Sequence, residues 1–200
     1  LVIAPILGGH TNDVHAEEAE VVIETVTEET PAVIKNEKVV KWTGRKVGGM
    51  HEGTIAISES TVKLEENALL GSVTVDMTKM ICTDIEPGED NDNLIGHLKN
   101  DDFFAVEAHP TATIKMVNSV KDEESDGWYK VTAELTIKGV TNGIEFPVYV
   151  EQKEGAIHIE TTFAIDRTDY GIEYGSKSIV GKIAGKFIYD EIELNINTEL

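Results

Sequence analysis

Apolar and polar residues alternate one by one through long stretches of this chain. Residues 131–137 are typical, because Val131, Ala133, Leu135 and Ile137 each follow a polar neighbour. Successive side chains of a β-strand point to opposite faces, so this pattern predicts strands buried on one face only. The same alternation covers residues 73–77, 144–150, 157–165 and 192–196, with shorter examples at 55–57 and 114–116.

Residues that favour turns lie between these stretches. They predict short hairpin connections, and therefore an antiparallel sheet, at Gly48-Gly49, Glu66-Asn67, Asp126-Gly127, Thr141-Asn142-Gly143 and Glu154-Gly155. An open sheet of about eight such strands would leave two edges and one apolar face exposed, whereas closure into a barrel removes the edges and buries that face. We therefore predict an all-β protein, an extended antiparallel barrel of about eight strands.

The interior of an eight-stranded barrel is either filled by side chains or holds one small ligand. The inward residues predicted here are mostly of medium size, and composition alone leaves both alternatives open. The candidate cavity-lining residues are Val73, Val75, Val131, Ala133, Leu135, Ile157, Ile159 and Phe163.

The alternation stops between Thr83 and Pro110. This segment is polar, contains Pro87-Gly88, and then carries the apolar residues of 94–98 and Phe103-Phe104. We predict a long loop with a short helical insertion over residues 83–110. Connections of this length are usually functional.

Residues 1–34 form a separate segment, with seven Asp or Glu and no Lys or Arg. The apolar run Leu1–Leu7 and the small residues Val14 and Ala16 resemble an export signal that lacks its basic start, with cleavage expected after Ala16. An acidic, disordered spacer would follow. The sequence therefore predicts two parts, an export-signal remnant with its spacer at 1–34 and a barrel domain at 35–200, in an exported protein.

The charge balance excludes several partners. The chain contains 17 Lys and Arg and 37 Asp and Glu, so its net charge is −20. Such a chain repels nucleic-acid phosphates, so we predict no nucleic-acid partner. The sequence also contains no apolar run of about 18 residues, so we predict no stable membrane insertion. An apolar molecule inside the barrel stays compatible with this charge. The polar residues on the outward strand faces fit both a monomer and a homodimer.

No catalytic sequence signature is present, although this absence does not by itself exclude an enzyme. Our prediction is a binding protein and not an enzyme. The single cysteine, Cys82, is expected to be a packing residue, because a reactive thiol needs an activating base. The alternative is a metal-dependent enzyme that uses His51, Asp84 and His97, whose side chains are suitable metal ligands but have no recognised spacing. We predict no metal and no cofactor.

Arg45 and Arg167 are the only arginines in the chain. A planar guanidinium pairs with a carboxylate or phosphate better than a lysine does. Arg167 is therefore predicted either to form a structural ion pair or to contact the polar head of a bound lipid.

Several short blocks, taken in order, resemble the YceI-like family. The resemblance extends from about Lys38 to the C-terminus. It rests on Trp42-Thr43-Gly44-Arg45-Lys46, His51-Glu52-Gly53, Val75-Asp76-Met77, Gly96-His97-Leu98-Lys99, Asp102-Phe103-Phe104, His109-Pro110-Thr111-Ala112, Leu135-Thr136-Ile137-Lys138-Gly139, Ile165-Asp166-Arg167-Thr168 and Tyr174-Gly175-Ser176.

This resemblance implies a lipocalin-like barrel in the bacterial periplasm that binds or transports a long apolar chain, such as a polyisoprenoid or an isoprenoid quinone. The bound lipid would be a ligand and not a cofactor. Its head group is expected near His97, Phe103, Phe104 or Arg167. A non-catalytic envelope stress or interaction module, in which the spacer or outer face binds a protein, is the alternative.

Overall fold

A computed structural model describes residues 38–153, 155–180 and 187–200 of the chain. The predicted export signal, its cleavage site and the acidic spacer lie outside the described residues. In chain order the elements are β1 (Val39–Lys46), β2 (Gly49–Ser60), β3 (Lys63–Glu65), β4 (Ala68–Leu70), β5 (Ser72–Cys82), α1 (Glu89–Lys99), β6 (Thr111–Lys121), β7 (Trp128–Ile137), β8 (Val140–Lys153), β9 (Ala156–Asp166), a 3₁₀ helix (Arg167–Tyr170), α2 (Lys177–Val180) and β10 (Ile188–Glu199).

Eight of these strands form a closed antiparallel barrel in the order β1-β10-β9-β8-β7-β6-β5-β2. The first and last strands pair directly, with Val40 opposite Ile196 and Trp42 opposite Leu194. The predicted fold class is therefore confirmed. Buried and exposed residues alternate most regularly in β7, as the sequence pattern requires.

The small β3–β4 hairpin packs against the end of the barrel opposite α1. Leu69 is fully buried there, and its N–H donates a hydrogen bond of 2.6 Å to Oγ of Ser119 on β6. The turn that joins the two strands is Glu66-Asn67, as predicted, and both residues have positive φ angles. This end of the barrel is thereby closed by side chains.

The predicted turn at Thr141-Asn142-Gly143 is wrong. These three residues lie within β8 and pair with β7, and the chain reverses instead at Lys138-Gly139. Both turn residues have positive φ, 51° and 76°, as a tight two-residue hairpin requires. The Asn-Gly pair was the stronger sequence signal, but the register that buries Ile137 and Leu135 places the turn three residues earlier.

The predicted helical insertion is present, and it is longer than expected. Helix α1 has 11 residues and is followed by turns that bury Phe103 and Val106. It lies beside the half of β5 that no longer pairs with β6, because the β5–β6 ladder ends at Asp76. Nζ of Lys99 donates to the carbonyl oxygen of Thr78 at 2.8 Å, which ties the helix to this strand.

Candidate functional site

A cavity of about 270 Å³ lies at the α1 end of the barrel. Strands from both sides of the barrel, the helix and the turns after it all contribute to its lining. Most of the lining is apolar or aromatic, and this part comprises Trp42, Ile55, Met77, Met80, Leu94, Leu98, Phe103, Phe104, Ile165, Tyr174, Ile188, Tyr189, Ile192 and Leu194. The rest of the lining is Gly44, Arg45, Lys46, His51, His97 and Arg167. For comparison, an apolar cavity of about 150 Å³ is large enough to bind benzene.

A second, smaller cavity of about 70 Å³ lies deeper in the barrel. The two cavities share three lining residues, Ile55, Met77 and Leu194, which therefore form the partition between them. Met77 is the most adaptable of the three, because its unbranched side chain has three rotatable bonds.

The inward residues of β9 show where the open space begins. Ile165 lines the larger cavity and Phe163 the smaller one, whereas Ile157 and Ile159 line neither. Phe163 stacks on Phe146 with 4.4 Å between the ring centroids. The barrel is thus open at the α1 end and packed by side chains at the other end.

The predicted lining residues are divided by this arrangement. Val73, Val75, Leu135 and Phe163 line the smaller cavity. Val131, Ala133, Ile157 and Ile159 are buried in the packed half and line neither of the two cavities. A ligand-binding role for either group stays a prediction.

The four residues predicted to lie near a ligand head group all line the larger cavity. They meet around Phe103, whose ring lies 5.6 Å from that of His97 and 5.0 Å from that of Phe104, measured between centroids. The guanidinium carbon of Arg167 lies 5.5 Å from the Phe103 ring centroid. The structure therefore brings all four together, and their contact with a ligand stays a prediction.

Arg167 has the structural role that the sequence left open. It is fully buried, and its side chain donates to the carbonyl oxygens of Tyr189, Ile172 and Ile188. A contact of 3.4 Å joins it to the carboxylate of Asp190. Its hydrogen-bonding groups thus fasten the 3₁₀ helix and the following loop to the start of β10.

Trp42 is the main lining residue that the strand pattern did not select. It points into the barrel from β1 and is 8% exposed. Gly53 on β2 makes room for it, because a Cβ atom at Gly53 would lie 2.7 Å from the indole ring and 1.9 Å from the carbonyl oxygen of Ile81. The alternation of Val40, Trp42 and Gly44 with polar neighbours was the signal available in the sequence.

The family model for the YceI-like domain matches residues 17–200. The chain belongs to the YceI-like family. The predicted resemblance is therefore confirmed. A search of curated proteins found no significant match.

Solved structures of three other proteins resemble this YceI-like barrel. BcnA of Burkholderia cenocepacia aligns with a TM-score of 0.64 and 18% identity, over 81% of this chain and 95% of the other. The YCEI protein of Campylobacter jejuni gives 0.54 and 22%, over 73% and 82%. A polyisoprenoid binding domain from Saccharophagus degradans gives 0.52 and 16%, over 80% and 91%. These similarities establish the fold.

The rim of the cavity in this YceI-like protein carries a linear polar network. Nζ of Lys46 donates to Nε2 of His51 at 2.8 Å, and Nδ1 of His51 lies 2.9 Å from Oδ2 of Asp84. Because an ammonium group can only donate, Nε2 is the acceptor and Nδ1–H donates to the carboxylate. The other Asp84 oxygen accepts from the Glu52 N–H and from the Cys82 thiol, both at 3.0 Å.

This network does not build a nucleophile and base pair. Cys82 donates to the carboxylate and not to His51, and burial raises the pKa of its thiol. No group of three or more His, Cys, Asp or Glu side chains suited to a metal ion forms among the described residues. The alternative site of His51, Asp84 and His97 is not assembled there, since His97 packs against the rings of Phe103 and Tyr174.

Asp84 should make stability depend on pH in the acid range. Burial tends to raise its pKa, but hydrogen bonds from Glu52, Cys82 and His51 outweigh this effect and hold the pKa at about 2, against 3.8 ordinarily. A carboxyl with a depressed folded-state pKa stabilises the fold above its unfolded pKa and loses that contribution as pH falls. Asp84→Asn should therefore cost about 1 kcal/mol of unfolding free energy at neutral pH, allowing for partial solvent exposure.

Urea unfolding of the wild-type and Asp84→Asn proteins across pH tests this expectation. The difference between them should shrink as pH falls from 4 towards 2. Asp102→Asn, on the exposed turn after α1, is the matched control. A constant difference across this range would show that the Asp84 carboxylate does not titrate as described.

None of the helices among the described residues is long and apolar enough to cross a membrane.

Proposed function

We propose that this protein binds a long-chain apolar lipid, a polyisoprenoid or an isoprenoid quinone, inside the barrel and sequesters or transports it in the bacterial periplasm. The observation that carries the proposal is the apolar cavity of about 270 Å³ within a closed YceI-like barrel. Each buried CH₂ group contributes about 0.8 kcal/mol, so a chain of a few isoprene units binds tightly without many polar contacts.

The shape of the space supports an elongated ligand. The larger cavity opens at the α1 end, and the smaller one continues the same path past Met77 towards Phe163. A chain that enters beside α1 would pass Met77 and end at the stacked Phe146 and Phe163 rings. The unbranched Met77 side chain allows this path to widen without movement of the strands.

The polar groups at the site support binding and not catalysis. Cys82 is protonated and bonded to Asp84, and the ammonium of Lys46 occupies the position next to Nε2 of His51 where a nucleophile would lie. Arg167 is engaged in holding the backbone. This arrangement gives His51 no hydroxyl or thiol from which to remove a proton.

Native mass spectrometry of protein purified from a bacterial host, followed by organic extraction, tests the proposal. We expect a stoichiometric isoprenoid or other long-chain lipid. The delipidated protein should then take up an added prenyl quinone in a ratio of one to one. A folded protein that contains no lipid and refuses added prenyl lipids would overturn the proposal and favour the interaction module.

The proposed location has its own test. The sequence of residues 1–16 favours export, since an apolar run precedes small residues at Val14 and Ala16. Cell fractionation and the mass of the mature protein should place it in the periplasm with Glu17 as its first residue. Recovery from the cytoplasm with residues 1–16 still attached would contradict this part of the proposal.

A further inference from the structure

The rim of the larger cavity carries exposed apolar and aromatic side chains. Val47, Met50, Tyr174 and Tyr189 are each 40% to 49% exposed, and they are four of the nine large apolar or aromatic side chains exposed among the described residues. The two tyrosines also line the cavity, and Val47 and Met50 lie at the tip of the β1–β2 hairpin, between residues that line it. We call these four residues the rim patch. Exposed apolar surface concentrated at an opening is typical of an interaction site.

The rim patch is formed by three segments that are bonded to one another. The N–H of Val47 donates to the carbonyl oxygen of Phe187 at 3.2 Å, which joins the hairpin to the residues before β10. The ring of Phe187 lies 5.2 Å from that of Tyr189, measured between centroids. The N–H of Ile188 donates at 2.8 Å to the carbonyl oxygen of Gly175, which follows the other tyrosine. The patch is therefore one surface and not a set of scattered residues.

Three cations lie within or beside the rim patch. Nη1 of Arg45 lies 3.3 Å from Sδ of Met50, and Lys46 is the next residue in the strand. The ammonium group of Lys177 lies 5.3 Å from the ring centroid of Tyr189. Tyrosine and the long cationic side chains each combine an apolar body with a polar end, and they are the residues that occupy the boundary between water and a lipid bilayer.

The charge of the hairpin differs from that of the whole chain. Residues 41–51 contain three Lys or Arg and no Asp or Glu, in a chain whose net charge is −20. Glu193, which lies 3.7 Å from Arg45, and the exposed Glu173 reduce this positive charge without reversing it at the hairpin tip. An anionic membrane repels the rest of the protein, so approach with the hairpin first is favoured. The same net charge opposes the pairing of two copies of the chain at this surface.

We infer that the rim patch and its three cations dock the open end of the barrel on the surface of an anionic phospholipid membrane. This inference rests on the proposed function, in which a long apolar chain passes between a bilayer and the cavity. In the docked position the opening faces the acyl chains, so the ligand can move without exposing its whole length to water. Contact of this kind lies in the membrane interface and needs no spanning segment.

Flotation of the delipidated protein with two kinds of vesicle tests the docking. One kind is phosphatidylcholine alone, and the other is an equal mixture of phosphatidylethanolamine and phosphatidylglycerol. The variant is Val47→Glu, and the matched control is Val120→Glu, the same change at an exposed valine of β6. Val120 follows Ser119, which bonds the β3–β4 hairpin at the other end of the barrel. Neither valine lines either of the two cavities.

We expect Val47→Glu to weaken binding to the anionic vesicles about tenfold, because it removes an apolar contact and adds a negative charge at the membrane surface. Val120→Glu should change this binding less than twofold, since a charge at the far end of the barrel is screened by salt. Lys177→Gln should weaken binding about fivefold on anionic vesicles and less than twofold on phosphatidylcholine. Glu173→Gln should strengthen binding to anionic vesicles.

A quenching measurement identifies the end of the barrel that meets the membrane. A dansyl label is attached to Val47→Cys or to Val120→Cys, and Cys82 does not compete for it because its thiol is buried and bonded to Asp84. Brominated lipid in the anionic vesicles should quench the label at residue 47 and leave the label at residue 120 bright. Uptake of a prenyl quinone in solution, without vesicles, should be the same in the wild-type and both glutamate variants, which also shows that they are folded.

Three results would overturn the docking. They are equal vesicle binding by the two glutamate variants, equal quenching at the two labels, and failure of the wild-type protein to bind either kind of vesicle. The last result would favour a protein partner for the rim patch. Each of them leaves quinone uptake in solution, and therefore the proposed function, intact. Loss of that uptake in a wild-type protein that still binds anionic vesicles would instead defeat the proposed function while the docking surface stands.

Discussion

Replacing Arg167 with leucine should destabilise the fold by about 3 to 5 kcal/mol, the cost of removing one partner from a buried ion pair. Burial lowers the pKa of Arg167, whereas Asp190 and Asp166 oppose that effect and favour its charge. Leucine would leave Asp190 without its cation and the carbonyl oxygens of Tyr189 and Ile172 without their donor. Urea unfolding at neutral pH measures the loss.

The matched control is Arg45→Leu, the same change at the chain's other arginine. Arg45 pairs with Glu193 at 3.7 Å, and both side chains are more than two-fifths exposed, so its loss should cost less than about 1 kcal/mol. The double variant Arg167→Leu with Asp190→Leu should recover part of the stability, because it removes the stranded carboxylate. Equal effects of the two arginine substitutions would contradict the structural role of Arg167.

Met77→Trp should abolish the dependence of lipid affinity on chain length. In the wild-type protein each added isoprene unit can enter the smaller cavity, and each buried CH₂ contributes about 0.8 kcal/mol. A rigid indole at the partition would close the path past Ile55 and Leu194. Long prenyl chains should then bind at least tenfold more weakly, whereas short ones that fit the larger cavity retain their affinity.

Calorimetry with prenyl ketones of increasing length measures this effect. Lys79→Trp is the control, since Lys79 lies on the same strand and is exposed. Overpacking at Met77 should cost about 1 to 3 kcal/mol, so binding of the short ketone also reports that the fold is intact. If the affinity of the Met77→Trp protein still increased with chain length as it does in the wild-type protein, the ligand would not pass this residue.

The sequence predicted the barrel because alternation is a local property of each strand. Residues 131–137 and 157–165 determine which of their own side chains face inward, whatever their neighbours are. The turn at Lys138-Gly139 was missed because its position depends on the register between β7 and β8. Register is a property of two paired strands, so the sequence of one strand alone does not determine it.

The candidate site was less predictable for the same reason. Val131 and Ile159 alternate as regularly as Val73 and Phe163, yet the first pair is in the packed half of the barrel and the second pair lines open space. The difference depends on the side chains that pack against each residue from the facing strands, and all four belong to or pack against one buried cluster. No single segment carries that information.

The pairing of β1 with β10 has a consequence for folding. These strands are the first and last of the domain in sequence, yet Val40 pairs with Ile196. The ring of hydrogen bonds can therefore close only after the last strand is in place. Until then β1 and β9 each present an unpaired edge that can recruit another chain. Contacts between such distant residues also slow folding. The partly folded chain is therefore the aggregation-prone species, and a chaperone that acts on this protein would need to cover those two edges until β10 arrives.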